Sequence, residues 1–513
     1  MNGPKDLRDW IAQLRSAGEL VEIRSEVDPY LEITEIADRT LKGGGPALLF
    51  SNVKGSQQAL LINQFGTERR MLMALGVDSL DAIGAQIGEL LELRPPDGLK
   101  DKLQALGRLK SVADARPKIV KKAVCQEVVW PEPNLDLLPI QYQWPDDGGP
   151  FITLANVITK DPVTGGRNVG MYRLQKHAKN ELGLHWQMHK DAAADARDGE
   201  GRMEVALALG TDPITTYSGS MPLPKHIDEY MVAGWLRDEP IELVQCKTVD
   251  LQVPANAEII IEGYCIRGET KPEGPFGDHT GYYTPVDDFP VMHITAMTSR
   301  RNPIYPSIVV GPPPCEDLWL AKATERIFLP AVRVTLPEVV DYDLPFAGTF
   351  HNCAIFSIKK RFPGHAQKVM HAIWGTGLLS LTKAVIIVDE WVNVHDYNEV
   401  VWQMGANIDP GHDILLSYGP LDQLDHAARL KALGGKIGFD ATAKLEGEGY
   451  TRGPWPEVNR IPDDVKAQVD ARWAELGIPL PGFSGAFRRS GAAASGSGEG
   501  MLAKLRGAKG QPG

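Results

Sequence analysis

No apolar run in this 513-residue chain approaches the ~18–20 residues that a membrane-spanning helix needs. The stretch from Met1 to Asp9 also lacks the basic-then-apolar pattern of a secretory signal. Both absences point to a cytoplasmic protein. Cysteine is scarce: Cys125, Cys246, Cys265, Cys315 and Cys353 are scattered, odd in number and never paired as C-x-x-C. That excludes a disulfide framework and predicts reduced thiols acting as small buried hydrophobes. Basic residues are in deficit, 54 Lys and Arg against 66 Asp and Glu, for a formal charge of −12. A nucleic-acid partner is disfavoured, because phosphate binding needs a basic surface. Three nucleotide and hydrolase signatures are missing as well: G-x-x-x-x-G-K-[ST], G-x-S-x-G, and G-x-G-x-x-G opening a helix.

What is present is an ordinary globular composition, 43% hydrophobic and 23% charged, in a chain long enough for three units of roughly 100–200 residues. Leu7, Trp10, Ile11, Leu14 and Ala17 fall at helical spacing before Gly18. A second helix follows Pro29, carrying Ile33, Ile36, Ala37 and Leu41 on one face. A strand at Ala47 to Phe50 and a helix from Leu80 to Leu93 complete an α/β domain over residues 1–118. Residues 119–311 read instead as short strands separated by Gly, Pro and Asp: Phe151 to Thr159, Val169 to Gln175, Glu204 to Leu209, Glu258 to Tyr264 and Val291 to Met297. This is an antiparallel sheet or barrel. In residues 312–483 strands at Ala354 to Ile358 and Ala384 to Val388 alternate with helices at His365 to Trp374 and Tyr397 to Met404, as in a βαβ unit. Residues 484–513 are rich in Gly, Ala and Ser and read as a disordered tail, whose basic residues allow at most peripheral contact with an anionic membrane.

Four stretches could carry chemistry. In Pro272-Glu273-Gly274-Pro275-Phe276-Gly277-Asp278-His279-Thr280-Gly281-Tyr282-Tyr283, two carboxylates and a histidine sit in a backbone restrained by proline and freed by glycine. Neighbouring acids can have their pKa values driven apart, one staying a carboxylate while the other carries a proton. A solvated surface turn is the competing reading. Arg167-Asn168-Val169-Gly170-Met171-Tyr172-Arg173 places an amide and two guanidiniums on a strand-like segment. Strict alternation would set Asn168 and Arg173 on opposite faces, so either a bulge intervenes or they serve different partners. His185-Trp186-Gln187-Met188-His189-Lys190-Asp191 spaces two histidines by four, but Trp186 stands where H-E-x-x-H needs glutamate, which rules out the zinc-protease reading. Lys225-His226-Ile227-Asp228-Glu229-Tyr230 begins a helix, and Glu229 alone reads as a surface residue.

In this order the four stretches resemble the UbiD family of decarboxylases, whose namesake acts on polyprenyl-4-hydroxybenzoate in ubiquinone synthesis. The likeness extends to Leu31 to Arg39 and to Ile387 to Val394, leaving only the tail outside. The resemblance implies a central split β-barrel domain binding prenylated FMN, flanked by two α/β domains, the last serving oligomerisation. It implies a metal held by Asn168, His189 and Glu229, with Mn²⁺ or a similar divalent ion suiting amide, imidazole and carboxylate donors, and K⁺ as a further candidate. Cofactor contacts would fall on Asn168, Met171, Tyr172, Arg173, His185, Trp186, Gln187, Lys190, Asp191 and Glu229. For His185 a core or pocket-wall reading stands beside the cofactor role.

The family's catalytic Glu-Arg-Glu network corresponds to Glu273, Arg173 and Asp278, the last being aspartate as in the ubiquinone branch. In the implied mechanism Arg173 pairs with Glu273 and steers the substrate, while Asp278 protonates the carbon that lost its carboxylate. The expected function is non-oxidative decarboxylation of an aromatic or unsaturated acid, foremost a polyprenyl-4-hydroxybenzoate-like quinone precursor. Competing substrates are small hydroxybenzoates, handled reversibly, and a menaquinone precursor. A non-catalytic flavin-binding protein is the reading from another class, and the intact acid and arginine set argues against it. The implied partners are an aromatic acid, a flavin prenyltransferase that supplies the cofactor, and further copies of the chain; the implied location is cytoplasmic or peripheral to the inner membrane.

Overall fold

A computed structural model describes residues 3–91, 110–186, 201–225 and 227–478. It divides into two compact units: Met1–Ala331 with Phe346–Phe350 and Pro420–Gly434, and Val332–Pro345 with His351–Gly419 and Gly435–Gly513.

In the first unit the opening helix, Leu7–Ser16, starts where the Asp6 side chain accepts the Asp9 N–H, and it buries Leu7, Trp10, Ile11 and Leu14, as their spacing predicts. The helix Glu32–Lys42 and the strand Ala47–Phe50 follow expectation. Two neighbouring strands, Leu20–Ile23 and Ala59–Ile62, were too short to read by periodicity. A fourth strand in the same sheet, Ile304–Pro306, arrives from more than 240 positions along the chain and pairs in parallel with Ala59–Ile62.

The main sheet has nine strands. Eight of them run in the order Phe151–Ile152, Leu174–Ala178, Glu181–Leu184, Asp287–Ser299, Ile259–Glu273, Arg202–Leu209, Asn156–Lys160 and Arg167–Met171, and Val128–Val129 pairs with Asp287–Ser299. Two expected strands are therefore each divided. The run from Phe151 to Thr159 breaks after Ile152, and the run from Val169 to Gln175 breaks after Met171. In both, the halves belong to opposite regions of the sheet. Six inter-strand spacings, about 29 Å if the sheet were flat, separate Arg167–Met171 from Leu174–Ala178. The link between them, Tyr172 and Arg173, spans at most about 11 Å. The sheet must curl, and it forms a half-barrel.

The side-chain alternation fits a sheet buried on both faces. Ala206, Ala208 and Ile260 enter one core cluster, while Val205, Leu207, Leu209, Ile259 and Ile261 enter another. Alternation in Asp287–Ser299 slips at Thr295: Glu262 pairs with Ala296 but Gly263 pairs with Ile294. This bulge lets Met292, Ile294 and Met297 share one core, which strict alternation would forbid.

The second unit is a five-stranded sheet in the order Val339–Asp343, Cys353–Ile358, Ala384–Asp389, Leu433–Asp440, Ile414–Pro420, with parallel pairing among its three central strands. Helices His365–Trp374 and Tyr397–Asn407 alternate with those strands, as the βαβ pattern predicts. All five cysteines are free thiols, four of them buried. Among the described residues no helix is long and apolar enough to cross a membrane. The glycine-rich stretch 484–513 lies outside the described residues.

Candidate active site

Arg173 sits in the two-residue link where the half-barrel strands meet, so the question of which strand face it shares with Asn168 does not arise. Next to it the antiparallel pair Leu174–Ala178 and Glu181–Leu184 ends with Leu174 opposite Leu184, which brings His185 alongside; the His185 N–H donates to the Arg173 carbonyl at 3.3 Å. Glu273 is the last residue of the long strand Ile259–Glu273 and is wholly buried. Beyond it the backbone turns sharply. Gly274 has φ +97°, a conformation that other residues rarely adopt, and its N–H donates to Gln175 Oε1 at 2.7 Å. The Gly277 N–H donates to Asp147 Oδ1 at 2.8 Å. Phe276–Gly277 then pairs with Tyr283–Thr284, a short hairpin that holds Asp278 at its turn and returns Thr284 beside it.

These elements bring the three predicted residues together. Arg173 Nε and Nη2 donate to the two oxygens of Glu273 at 2.8 and 3.1 Å, a bidentate pair. Arg173 Nη1 donates to Asp278 Oδ2 and, at 3.0 Å, to Thr284 Oγ1. The guanidinium also lies 4.6 Å from the centre of the Phe276 ring. His185 Nδ1 is 3.1 Å from Glu273 Oε2, and its Nε2 is 3.0 Å from Gln423 Nε2. Because an amide nitrogen can only donate, Nε2 is the acceptor and Nδ1–H donates to Glu273. The surface-turn reading of this segment is excluded, for Glu273, Asp278 and His279 are all buried.

Charge states follow from these contacts. Burial pushes the Glu273 carboxyl up, but the His185 hydrogen bond and the Arg173 charge outweigh it and hold the group at about 2. Asp278 is likewise raised by burial and brought far below the usual carboxylate range by Arg173 and His279. Burial and the Arg173 charge depress His185, which is neutral at pH 7. His279 goes the other way: burial lowers it, yet the bond to Asp278, aided by Asp317 and Asp422, pushes it up to about 9. At neutral pH the cluster holds two cations and two anions.

Asn168 and Glu229 belong to the same unit, Asn168 on the strand Arg167–Met171 that leads into the Arg173 link. Asn168 lies opposite Thr159 in the sheet and its Nδ2 donates to Thr159 Oγ1 at 3.0 Å, leaving its amide oxygen as the donor atom for a cation. Glu229, read from sequence as a surface residue, is buried. It opens the helix Glu229–Arg237 and accepts the Val169 N–H at 3.1 Å, which ties that helix to the residue after Asn168. An amide oxygen and a carboxylate are hard donors that fit Mg²⁺ or Mn²⁺. Met171 ends its strand half-buried, whereas the Tyr172 and Trp186 side chains are buried in the core. Trp186 Nε1 is buried and has no hydrogen-bond partner among the described residues. An orphaned N–H beside a site is what a polar ring ligand would satisfy, so the described residues fit a flavin. Gln187, His189, Lys190 and Asp191 lie outside the described residues.

Three contributors escaped the sequence reading. Thr284 is traceable in principle, since the hairpin sets it opposite Phe276. His279 was visible in the motif without a role. Gln423 lies 238 positions from His185 and leaves no trace in local sequence.

Comparison with known proteins supplies the lineage. Sequence models of the 3-octaprenyl-4-hydroxybenzoate carboxy-lyase match in succession: the N-terminal domain at residues 11–91, the Rift-related domain at 118–313 and the C-terminal domain at 318–441. The chain belongs to the UbiD family of decarboxylases. An uncharacterized protein of Archaeoglobus fulgidus is 52% identical over 477 residues, which cover 92% of this chain and 98% of that one. The vanillic acid decarboxylase of Sedimentibacter hydroxybenzoicus, in its closed form, superposes with a TM-score of 0.81 at 27% identity, covering 93% of this chain and 99% of its own. An evolved dimeric form of the UbiD-class enzyme HmfF from Pelotomaculum thermopropionicum, solved with prenylated FMN, superposes with a TM-score of 0.71 at 30% identity over 90% and 98% of the two chains. Family membership makes the chain a carboxy-lyase and gives a context for the buried acid and arginine cluster.

Proposed function

We propose that this UbiD-family member removes carbon dioxide from an aromatic or unsaturated acid, foremost a polyprenyl-4-hydroxybenzoate-like quinone precursor, with prenylated FMN bound in the half-barrel. The observation that carries the reading is the buried guanidinium of Arg173, bonded at once to Glu273 and Asp278. Taking three charges out of water is costly, and a purely structural role would be served as well by apolar packing. Prenylated FMN, as seen in the HmfF complex, would supply an electrophilic centre that accepts the electrons of the breaking bond. Asn168 and Glu229, with His189, would hold Mn²⁺ or a similar ion at the cofactor phosphate. A flavin prenyltransferase would supply the cofactor, and the enzyme would work in the cytoplasm as a homo-oligomer.

The chain's own residues then have separable tasks. Glu273 fixes Arg173 through two parallel bonds, so the third arm, Nη1, points to Asp278 with little freedom. His185, neutral and bonded on both ring nitrogens, braces Glu273 from the other side. On this reading Asp278, buried beside Arg173, is the group through which a proton reaches carbon. Burial excludes bulk water, which keeps that delivery under the protein's control.

The test is expression together with a flavin prenyltransferase, followed by a screen of acids for carbon dioxide release. The reading expects turnover, falling about 10²–10⁴-fold in Asp278→Asn with flavin still bound. Near wild-type turnover in that variant would remove Asp278 from the chemistry. The fold match to a vanillic acid decarboxylase favours a second substrate reading, a small hydroxybenzoate. Turnover of vanillate-sized acids with none of prenylated ones would select it.

A further inference from the structure

The Asp278 carboxylate accepts more hydrogen bonds than a proton donor can. Its Oδ1 takes the His279 N–H at 2.8 Å and His279 Nδ1 at 2.8 Å, while its Oδ2 takes Arg173 Nη1 and is 3.0 Å from Thr284 Oγ1. A carboxylate has about four lone-pair positions, and here each has a partner. In this arrangement Asp278 carries no proton of its own to give. Each group on it differs in what it can release. A backbone amide and an arginine keep their protons at any physiological pH, and a threonine hydroxyl is no stronger an acid than water. Among the four, only the imidazole can part with a proton near neutrality.

His279 is built as a reservoir. It lies 6% exposed, with its ring 4.9 Å from that of Phe350. The leading charges that bear on it are acidic: Asp278 from its own hairpin, Asp317 from the start of the helix Asp317–Thr335, and Asp422 from the segment Pro420–Gly434. Arg173 meets the same carboxylate on its other oxygen. A cationic ring held among three carboxylates is stabilised as the imidazolium, and its Nδ1–H points at the one acid that the proposed function uses.

We infer that the working acid of this site is the Asp278–His279 pair, with His279 a positioning residue that stores the proton and passes it through Asp278 to carbon. The inference rests on the decarboxylase reading above. As carbon dioxide leaves without its bonding electron pair, the His279 Nδ1–H bond breaks and an O–H bond forms on Asp278. That O–H bond then breaks as C–H forms at the carbon that lost the carboxylate. Asp278 returns to a carboxylate, the imidazole is left neutral, and water restores its proton before the next turnover. The balance is one carboxylate and one proton in, one C–H bond and one carbon dioxide out.

Two measurements test it. In the cofactor-free protein labelled with ¹⁵N-histidine, one imidazole should remain doubly protonated well above pH 8 and fall toward the ordinary value of ~6.5 in Asp278→Asn. In the loaded enzyme, wild-type kcat should decline as pH rises through about 9, as the reservoir empties. His279→Asn keeps a donor to Asp278 but cannot titrate. It should lower kcat about 100-fold with KM little changed, and abolish the alkaline limb. Imidazole added to His279→Gly should restore part of the rate. A wild-type protein in which no histidine titrates above pH 8 would overturn the inference even if no variant folds. So would His279→Asn with wild-type kcat and the same alkaline limb. Failure of the decarboxylase reading would look different: a loaded wild type that releases no carbon dioxide from any acid while the elevated titration persists, which would leave the pair without its catalytic role.

Discussion

Arg173 uses three nitrogens on three partners, and lysine has only one. Arg173→Lys should therefore lose the bidentate hold on Glu273 and leave one of two buried carboxylates without its arginine partner. The expected result is a fall in turnover of at least 100-fold together with a loss of roughly 3 kcal/mol in unfolding free energy, read by denaturant titration. Glu229→Gln should behave otherwise. It is far from the acid pair in role, so the purified variant should lose flavin absorbance along with activity while its fold remains intact. A colourless variant that still turns over would contradict the metal assignment. Much of the residue-level chemistry was legible because glycine and proline around Glu273 and Asp278 marked a backbone held at unusual angles. The direction of each side chain was not. His279 follows Asp278 in sequence, yet adjacency cannot say that its ring folds back onto the same carboxylate oxygen as its own N–H.

Elements were legible in proportion to their length. The helices Leu7–Ser16 and His365–Trp374 present several turns of period, and their boundaries follow the spacing closely. Strands of two residues, such as Phe151–Ile152 and Phe276–Gly277, are too short for alternation to exist. The bulge at Thr295 leaves the buried face of Asp287–Ser299 unreadable from alternation for a related reason, since an extra residue inverts the pattern beyond it. The acid-bearing hairpin owes its position to a similar local fit. A Cβ on Gly277 would lie 2.1 Å from Trp144 Cδ1, and Trp144 cannot retreat: its Nε1 donates to the Val310 carbonyl at 2.7 Å and its far edge abuts Gly311. Gly277→Ala should cost about 1–3 kcal/mol in stability and depress kcat, because the displaced residue adjoins Asp278. Thermal melts and steady-state kinetics on the same preparation would check both.

At the largest scale, pH limits the unit that holds the site. The Glu273 carboxyl is ionised down to about 2 in the folded unit and titrates near 4.5 when unfolded. Its contribution is thus fully present above pH 4.5 and is lost as pH falls toward 2. Asp278, depressed for the same reason, acts in the same direction. The unit that holds the site should weaken by a few kcal/mol between pH 5 and 2, and Glu273→Gln should flatten that dependence in denaturant titrations. The strand Ile304–Pro306 that closes the first sheet was not readable from sequence, because long-range parallel pairing leaves no local mark.

The half-barrel itself makes one further demand. Two of its distant strands are joined by only Tyr172 and Arg173, so one clasp of the curled sheet and the guanidinium of the site belong to the same short piece of chain. A loosening of that clasp, by heat or by a substitution elsewhere along the rim, should pull the guanidinium away from its anions. Turnover in this enzyme is thus a strain gauge for its own architecture.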